Sequence, residues 1–241
     1  MNIARLHRWN LTYHEAVAVQ RELAGQVEQG PPLERVETIA AADVSALAIK
    51  PHGRAGRKNE TVAAVVVVVR LRTFEVLEVR RASRRAAWPY VPGLLSFREA
   101  PVVLAAFRRV KTVPDLVICD GQGRAHPRRL GLASHVGLAL GVPTVGCAKS
   151  RLIGTVPRQP RRERGGRAPL MDGRERIGTV LRTRTGVKPV FVSAGHRIDL
   201  ASACRWVLAA TPKYRLAEPI RLAHRLVTAY KSVLEARGER S

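Results

Sequence analysis

Acidic residues are scarce in this chain: 19 Asp and Glu stand against 42 Lys and Arg, a formal net charge of +23 over 241 residues. The excess is scattered along the chain rather than gathered in a tail, and it points to a polyanionic partner. It names a partner class and no chemistry, since ribosomal proteins, nucleoid proteins and nucleases share it. Cysteine is almost absent. Cys119, Cys147 and Cys204 sit singly in apolar segments with no CxxC pair, which argues against a disulfide framework or a cysteine zinc site and makes all three small core residues. No apolar run approaches the ~20 residues that span a bilayer, and the longest, around Val62 to Val69, has strand length. The N-terminus Met1-Asn2-Ile3-Ala4-Arg5 lacks an apolar signal core, so a soluble, cytoplasmic, monomeric protein with no membrane partner is expected. Aromatics make up only 5%, which makes any one in an exposed loop conspicuous.

What is present is 46% hydrophobic residues, enough for one substantial core and a single domain. Thr12 and Glu15 have capping-box spacing, and Ala16, Val19, Leu23 and Val27 follow at helical intervals. An N-terminal helix to about Glu28, within 1–30, is predicted. Three strands follow in 36–81 as a meander: 36–49, 62–69 and 74–79, with a polar loop at 51–59. A proline loop at 89–98 leads into 99–241, where helices at 97–110 and 129–140 alternate with strands at 116–120 and 144–148. Such alternation indicates parallel crossover units. An arginine-rich surface loop at 157–167, strands at 177–182 and 190–193, and helices at 200–210 and 218–237 complete the chain. The pattern predicts an α/β fold, a mixed sheet flanked by helices on the ribonuclease H-like plan.

Hydrolysis of a phosphodiester calls for metal ions, and metal ions call for converging carboxylates. Three are unusual. Asp43 lies inside an apolar strand, where an unpaired charge costs several kcal/mol on the order given by buried ions; the alternative is a solvent-facing strand position. Asp120 ends Leu116-Val-Ile-Cys-Asp120, at a strand terminus that in open α/β sheets faces the ligand crevice; the alternative is a turn cap. Glu99 begins a helix, but Ser96-Phe97-Arg98-Glu99 also fits a capping box.

Lys149 ends the strand Thr144-Val-Gly-Cys-Ala-Lys149, at the same sheet edge as Asp120, although strand-end lysines are commonly only solvated. His224 sits beside the stripe Ile220, Ala223, Val227, Tyr230 and Leu234 of the last helix, where a structural role competes. Gly121-Gln-Gly-Arg-Ala-His126-Pro-Arg128-Arg129 brings glycines and cations next to Asp120, so amides and guanidinium groups can approach a phosphate or a base. In Pro89-Tyr90-Val91-Pro92 two prolines stiffen a loop around an aromatic. Exposed, Tyr90 would wedge into a base stack; the alternative is a core tyrosine.

These residues fall in motifs that resemble the endonuclease V family along almost the whole chain: Asp43-Val44-Ser45, Pro89-Tyr90-Val91-Pro92-Gly93-Leu94-Leu95-Ser96-Phe97-Arg98-Glu99, Asp120 through His135, Pro143 through Lys149, and Gly195-His196-Arg197-Ile198. The resemblance implies a Mg²⁺-dependent nuclease, Mn²⁺ substituting, that cuts DNA at the second phosphodiester 3′ to a deoxyinosine and leaves 3′-hydroxyl and 5′-phosphate ends. It implies Asp43, Asp120 and Glu99 as the metal carboxylates, with Lys149 and His224 assisting at the scissile phosphate. Tyr90 would be the wedge, and Leu95, Gly121, Gly123 and Leu152, bordered by His126, the lesion pocket. DNA containing deaminated bases is the implied partner, with inosine-containing RNA a second candidate. The stretches 51–59 and 157–167 look longer or more basic than the family pattern, and no DNA contact is assigned there. Two alternatives stay open, a different ribonuclease H-like structure-specific nuclease and a basic binding protein without enzymatic activity.

Overall fold

The computed structural model of the chain describes residues 1–47 and 60–238. Thr12 caps the first helix α1 (Tyr13–Gly25) with both capping-box bonds to Glu15 present. The helix stops at Gly25, short of Glu28, with Gln26 as its C-cap. The described residues then form eight strands: β1 (Thr38–Ala46), β2 (Thr61–Arg70), β3 (Val76–Arg85), β4 (Leu116–Cys119), β5 (Thr144–Ala148), β6 (Arg167–Asp172), β7 (Glu175–Leu181) and β8 (Val190–Ala194). Four further helices join them: α2 (Leu95–Phe107), α3 (Leu132–Leu140), α4 (Leu200–Ala209) and α5 (Glu218–Gly238).

All eight strands form one mixed sheet in the order β3-β2-β1-β4-β5-β8-β7-β6. The first three are the antiparallel meander. β1, β4 and β5 run parallel, and β8 and β7 return antiparallel. The run from Val65 to Val69 is buried on both faces because β2, between β3 and β1, has a packed layer on each side. Side chains alternate across the sheet. Ile39, Ala41, Leu116, Ile118, Val145 and Cys147 face one layer, closed by α4 and α5. Ala40, Ala42, Val117 and Cys119 face the other, closed by α2 and α3. The three cysteines are buried and unpaired, as small core residues.

Several boundaries differ from the sequence reading, each for a local reason. The first strand ends at Ala46, so the last part of the expected 36–49 strand and the 51–59 loop lie outside the described residues. α3 starts at Leu132 rather than 129, because Arg129 holds a left-handed φ of 57° and Gly131 is the N-cap. β6 was not expected; it follows directly on the arginine-rich stretch. Ala168 and Leu170 point inward, and the Gly173-Arg174 turn, with Gly173 at φ 59°, pairs Asp172 with Glu175. In the 157–167 loop, Arg164 donates to the Leu208 carbonyl at 2.7 Å, and Arg182 donates to Arg161 at 2.8 Å. Among the described residues no helix is long and apolar enough to cross a membrane.

Candidate active site

Asp43 is an odd-numbered residue of β1 and so lies on the face of Ile39 and Ala41, beneath α5. Its neighbour Ala42 pairs in register with Cys119. That register sets Asp43 beside Asp120, the first residue beyond the carboxyl end of β4. Lys149, the first residue beyond β5, reaches back so that Nζ stands 2.5 Å from Asp120 Oδ2. From α5, Nδ1 of His224 stands 2.7 Å from Asp43 Oδ2. His224 is therefore no core histidine. Its side chain is 63% exposed, against 14% for Asp43.

Glu99 approaches from α2, on the opposite face. The capping-box alternative fails: α2 begins at Leu95 with Leu94 as N-cap and no side-chain cap. The turn that holds Gly93 at φ 77° and bonds Leu94 N to Val91 O starts the helix early. Ser96 thus falls inside the first turn and bonds His135 instead. Burial, and then the charges of Asp43 and Asp120, push the Glu99 carboxyl up to about 8. Asp43 is raised by burial above all, with Asp120 adding to the rise and His224 opposing it.

Both shifts come first from burial and then from crowding: the charges of Asp43 and Asp120 disfavour ionisation of Glu99, and Asp120 that of Asp43. As the side chains lie, no three His, Cys, Asp or Glu among the described residues form a ready metal cluster, and Lys149 and His224 occupy one oxygen each of Asp120 and Asp43. The donor set is all-oxygen, however, and Lys149 and His224 offset its negative charge only in part, since Asp43 and Asp120 still raise Glu99. That chemistry fits a hard divalent cation such as Mg²⁺ or Mn²⁺.

Asp120 and Lys149 also form one wall of a cavity of about 270 Å³, whose other walls include Tyr90, Leu95, Ser96, Gly121, His126 and Leu152. This is near the lower end of small-molecule sites, about 300 Å³. Gly123, expected in the pocket, is not among the residues that line this cavity. Its amide donates to Ser193 Oγ at 2.9 Å, and a Cβ there would stand 2.1 Å from the Ala194 carbonyl oxygen. The glycine is needed for close packing on β8.

Tyr90 is 59% exposed at the cavity mouth, so it is not a core tyrosine. Val91, next to it, packs back against the apolar cluster of Trp88, Leu94 and Phe97. The loop is tied at both ends. Arg98, buried and paired with Glu60, donates to the Trp88 carbonyl at 2.8 Å. The Gly93 carbonyl accepts from Gln20 Nε2 at 3.0 Å, His126 Nε2 at 3.0 Å and Arg128 Nη2 at 2.7 Å. Nδ1 of His126 accepts from the Arg128 amide at 3.2 Å, so Nε2 carries the proton of a neutral ring. Burial, which pushes this histidine down to about 4, keeps it neutral.

From the sequence, Gln20 has no assigned role and Arg128 counts only among the loop cations able to approach a phosphate or a base. A signal for Gln20 was there: with Ala16 four residues before it and Leu23 three after it, it falls on the buried stripe of α1 and is 0% exposed. For Arg128 no local pattern marks the turn back onto Gly93, because one arginine in a basic loop looks like another.

A family model described as Endonuclease V matches residues 21–225. A Myxococcus xanthus endonuclease V is 49% identical over 226 residues, which are 93% of this chain and 92% of that protein. The crystal structure of endonuclease V from Streptomyces avermitilis is 43% identical with a TM-score of 0.84, covering 95% of this chain and 96% of that one. A Ciona intestinalis endonuclease V, in complex with a 24mer DNA containing an inosine followed by a ribo-adenosine, shares the fold at 24% identity and a TM-score of 0.77, over 92% of this chain and 98% of that one.

Proposed function

The chain belongs to the endonuclease V family, and from that premise we propose that it is a divalent-metal-dependent endonuclease that repairs DNA by nicking it beside a deaminated base. The cut falls at the second phosphodiester 3′ to the lesion and leaves 3′-hydroxyl and 5′-phosphate ends; the offset rests on the family resemblance alone. One observation carries the rest: Asp120 and Lys149 belong both to the carboxylate centre and to the wall of the base-sized cavity. A nucleotide seated in the cavity therefore keeps its strand beside the carboxylates.

Asp43, Asp120 and Glu99 would hold the cation, which when bound neutralises phosphate charge and makes a water more acidic. Lys149, released from Asp120, turns its ammonium to the phosphate oxygens, where charge grows in the transition state. His224, through Nδ1 on Asp43, orients that carboxylate and stays solvent-accessible for proton exchange. Tyr90, held out by its anchored loop, fills the gap left by a displaced base. The polar groups of the cavity suit a base differing from adenine by a keto oxygen and a ring N–H.

Matched duplexes carrying deoxyinosine, riboinosine, uracil, a flap or a four-way junction, each incubated with Mg²⁺, test the reading. Nicking confined to deoxyinosine, at one position 3′ to it, is expected. Preferential cutting of flaps or junctions would replace it with a structure-specific nuclease, and preference for riboinosine with an inosine ribonuclease. Tight binding without cutting would leave a non-enzymatic binding protein.

A further inference from the structure

Behind the cavity a chain of hydrogen bonds runs from Ser96 to the other side of the molecule, and its direction can be assigned. Nδ1 of His7 stands 2.7 Å from the carbonyl oxygen of Arg8. A carbonyl only accepts, so this nitrogen carries the proton, and Nε2 of the neutral ring is an acceptor. That Nε2 lies 2.8 Å from Nε2 of His135. The His135 nitrogen must donate, which leaves its Nδ1 as the acceptor 3.1 Å from Ser96 Oγ. The hydroxyl proton of Ser96 is thereby committed to His135.

The assignment needs two neutral rings, and burial provides them. His135 is 0% exposed and pushed down to about 3, and His7 is lowered by the same cause. Packing fixes the rings as well: His135 stacks on Trp9 at 5.2 Å between centroids, and His7 meets the Trp9 edge at 4.4 Å.

Ser96 itself lines the cavity. With its proton turned away, its oxygen has only lone pairs left to offer a ligand. We propose that Ser96, held as a pure acceptor by His135 and His7, is a specificity-determining residue that receives the ring N–H of a deaminated adenine. Adenine carries a lone pair at that ring nitrogen, so the same oxygen repels it. Guanine shares the N–H, and its exclusion falls to other walls of the cavity. The proposal rests on the cavity being the base pocket, and it assigns to a side chain a discrimination that backbone groups alone need not make.

The test is equilibrium binding without divalent cation, so that cleavage is not the readout, on oligonucleotides carrying one deoxyinosine, deoxyadenosine or deoxynebularine. The last is an unsubstituted purine with neither the N–H nor the keto oxygen. Ser96→Ala should bind deoxyinosine about tenfold more weakly, the size of one lost hydrogen bond, and deoxynebularine, whose ring nitrogen bears the same lone pair as adenine, no more weakly than wild type. Ser96→Thr, which keeps the hydroxyl, should restore the preference. His7→Phe, outside the cavity, frees the His135 tautomer and should erode the preference for deoxyinosine over deoxyadenosine by roughly threefold, a partial loss of one such bond. Thermal melts check that each variant is folded. Equal weakening of deoxyinosine and deoxynebularine by Ser96→Ala, or no weakening at all, overturns the proposal while leaving the deaminated-base reading in place. A wild-type protein that does not prefer deoxyinosine over deoxyadenosine overturns that reading first, and the proposal with it.

Discussion

At one end of the cleft Asp43, Asp120 and Glu99 crowd together, Asp43 raised by burial and then by Asp120, Glu99 by burial and then by both aspartates, with compensation from the half-exposed Lys149 and the exposed His224. At the other end the polar groups around Gly93 are bonded to one another through Gln20, His126 and Arg128, and the histidine is neutral. The first region is an electrostatic conflict awaiting a cation. The second is already settled before any ligand arrives. The contrast teaches a division of labour: charge is left unresolved where chemistry must be driven, and geometry is fixed where a base must be distinguished.

The strongest way to break this contrast is to remove the conflict. Asp120→Asn should lower the nicking rate on the order of a thousandfold, about 4 kcal/mol, through loss of metal-assisted charge stabilisation. It should also raise the melting temperature of the metal-free protein, because one of the crowded charges is gone. Mg²⁺ should then stabilise wild type and not the variant; a variant that is less stable without metal would deny the conflict.

Breaking the settled end should act in the opposite way, on stability first. Gln20→Leu strips Gly93 and Arg128 of a buried partner and should cost about 2–3 kcal/mol in folding stability. It should raise KM for lesion-containing duplex with kcat largely kept, measured by denaturation and steady-state nicking. Tyr90→Ala removes an exposed ring and should leave stability unchanged. It should weaken duplex binding by about 1–2 kcal/mol if stacking is lost; unchanged binding would remove the wedge role.

The smallest effect is a pH slope. A carboxyl whose folded pKa is raised binds more protons folded than unfolded, so its contribution is fully present below the unfolded value and is lost as pH rises through the folded one. For Glu99 that window runs from the ordinary 4.5 to about 8. In its lower part the buried histidines work the other way, since their lowered pKa values make the fold gain stability as pH rises toward 6.5. Above pH 7, where the histidines are neutral, metal-free stability should still fall toward pH 8. Glu99→Gln should flatten that fall; an unchanged slope in the variant would show that Glu99 is not its source.

Much of the fold was legible because it is written in local periodicity. The Thr12 and Glu15 box, the valine run of β2 and the Leu116 and Thr144 strands each carry their own pattern. β6 was hidden by the arginines before it, although Ala168 and Leu170 with the Asp172-Gly173 turn were its trace. Among site residues, Ser96 misled: its spacing to Glu99 is that of a cap, yet a turn set by Pro92 and Gly93 moved the helix start and gave the hydroxyl to His135. His224 was ambiguous on its helix and was decided by Asp43, 181 residues away.

By itself, then, the sequence determined the order of elements, the basic surface, the lack of disulfides and the unusual carboxylates, because these follow from composition and near-neighbour spacing. Only the tertiary structure decided which groups meet. The register of Ala42 on Cys119 set Asp43 beside Asp120, and the packing of α1 and α3 chose the partners of Gly93 and Ser96. The reason is physical: a buried polar group takes whatever partner the fold brings within hydrogen-bond reach, and that partner leaves no mark at any fixed distance along the chain.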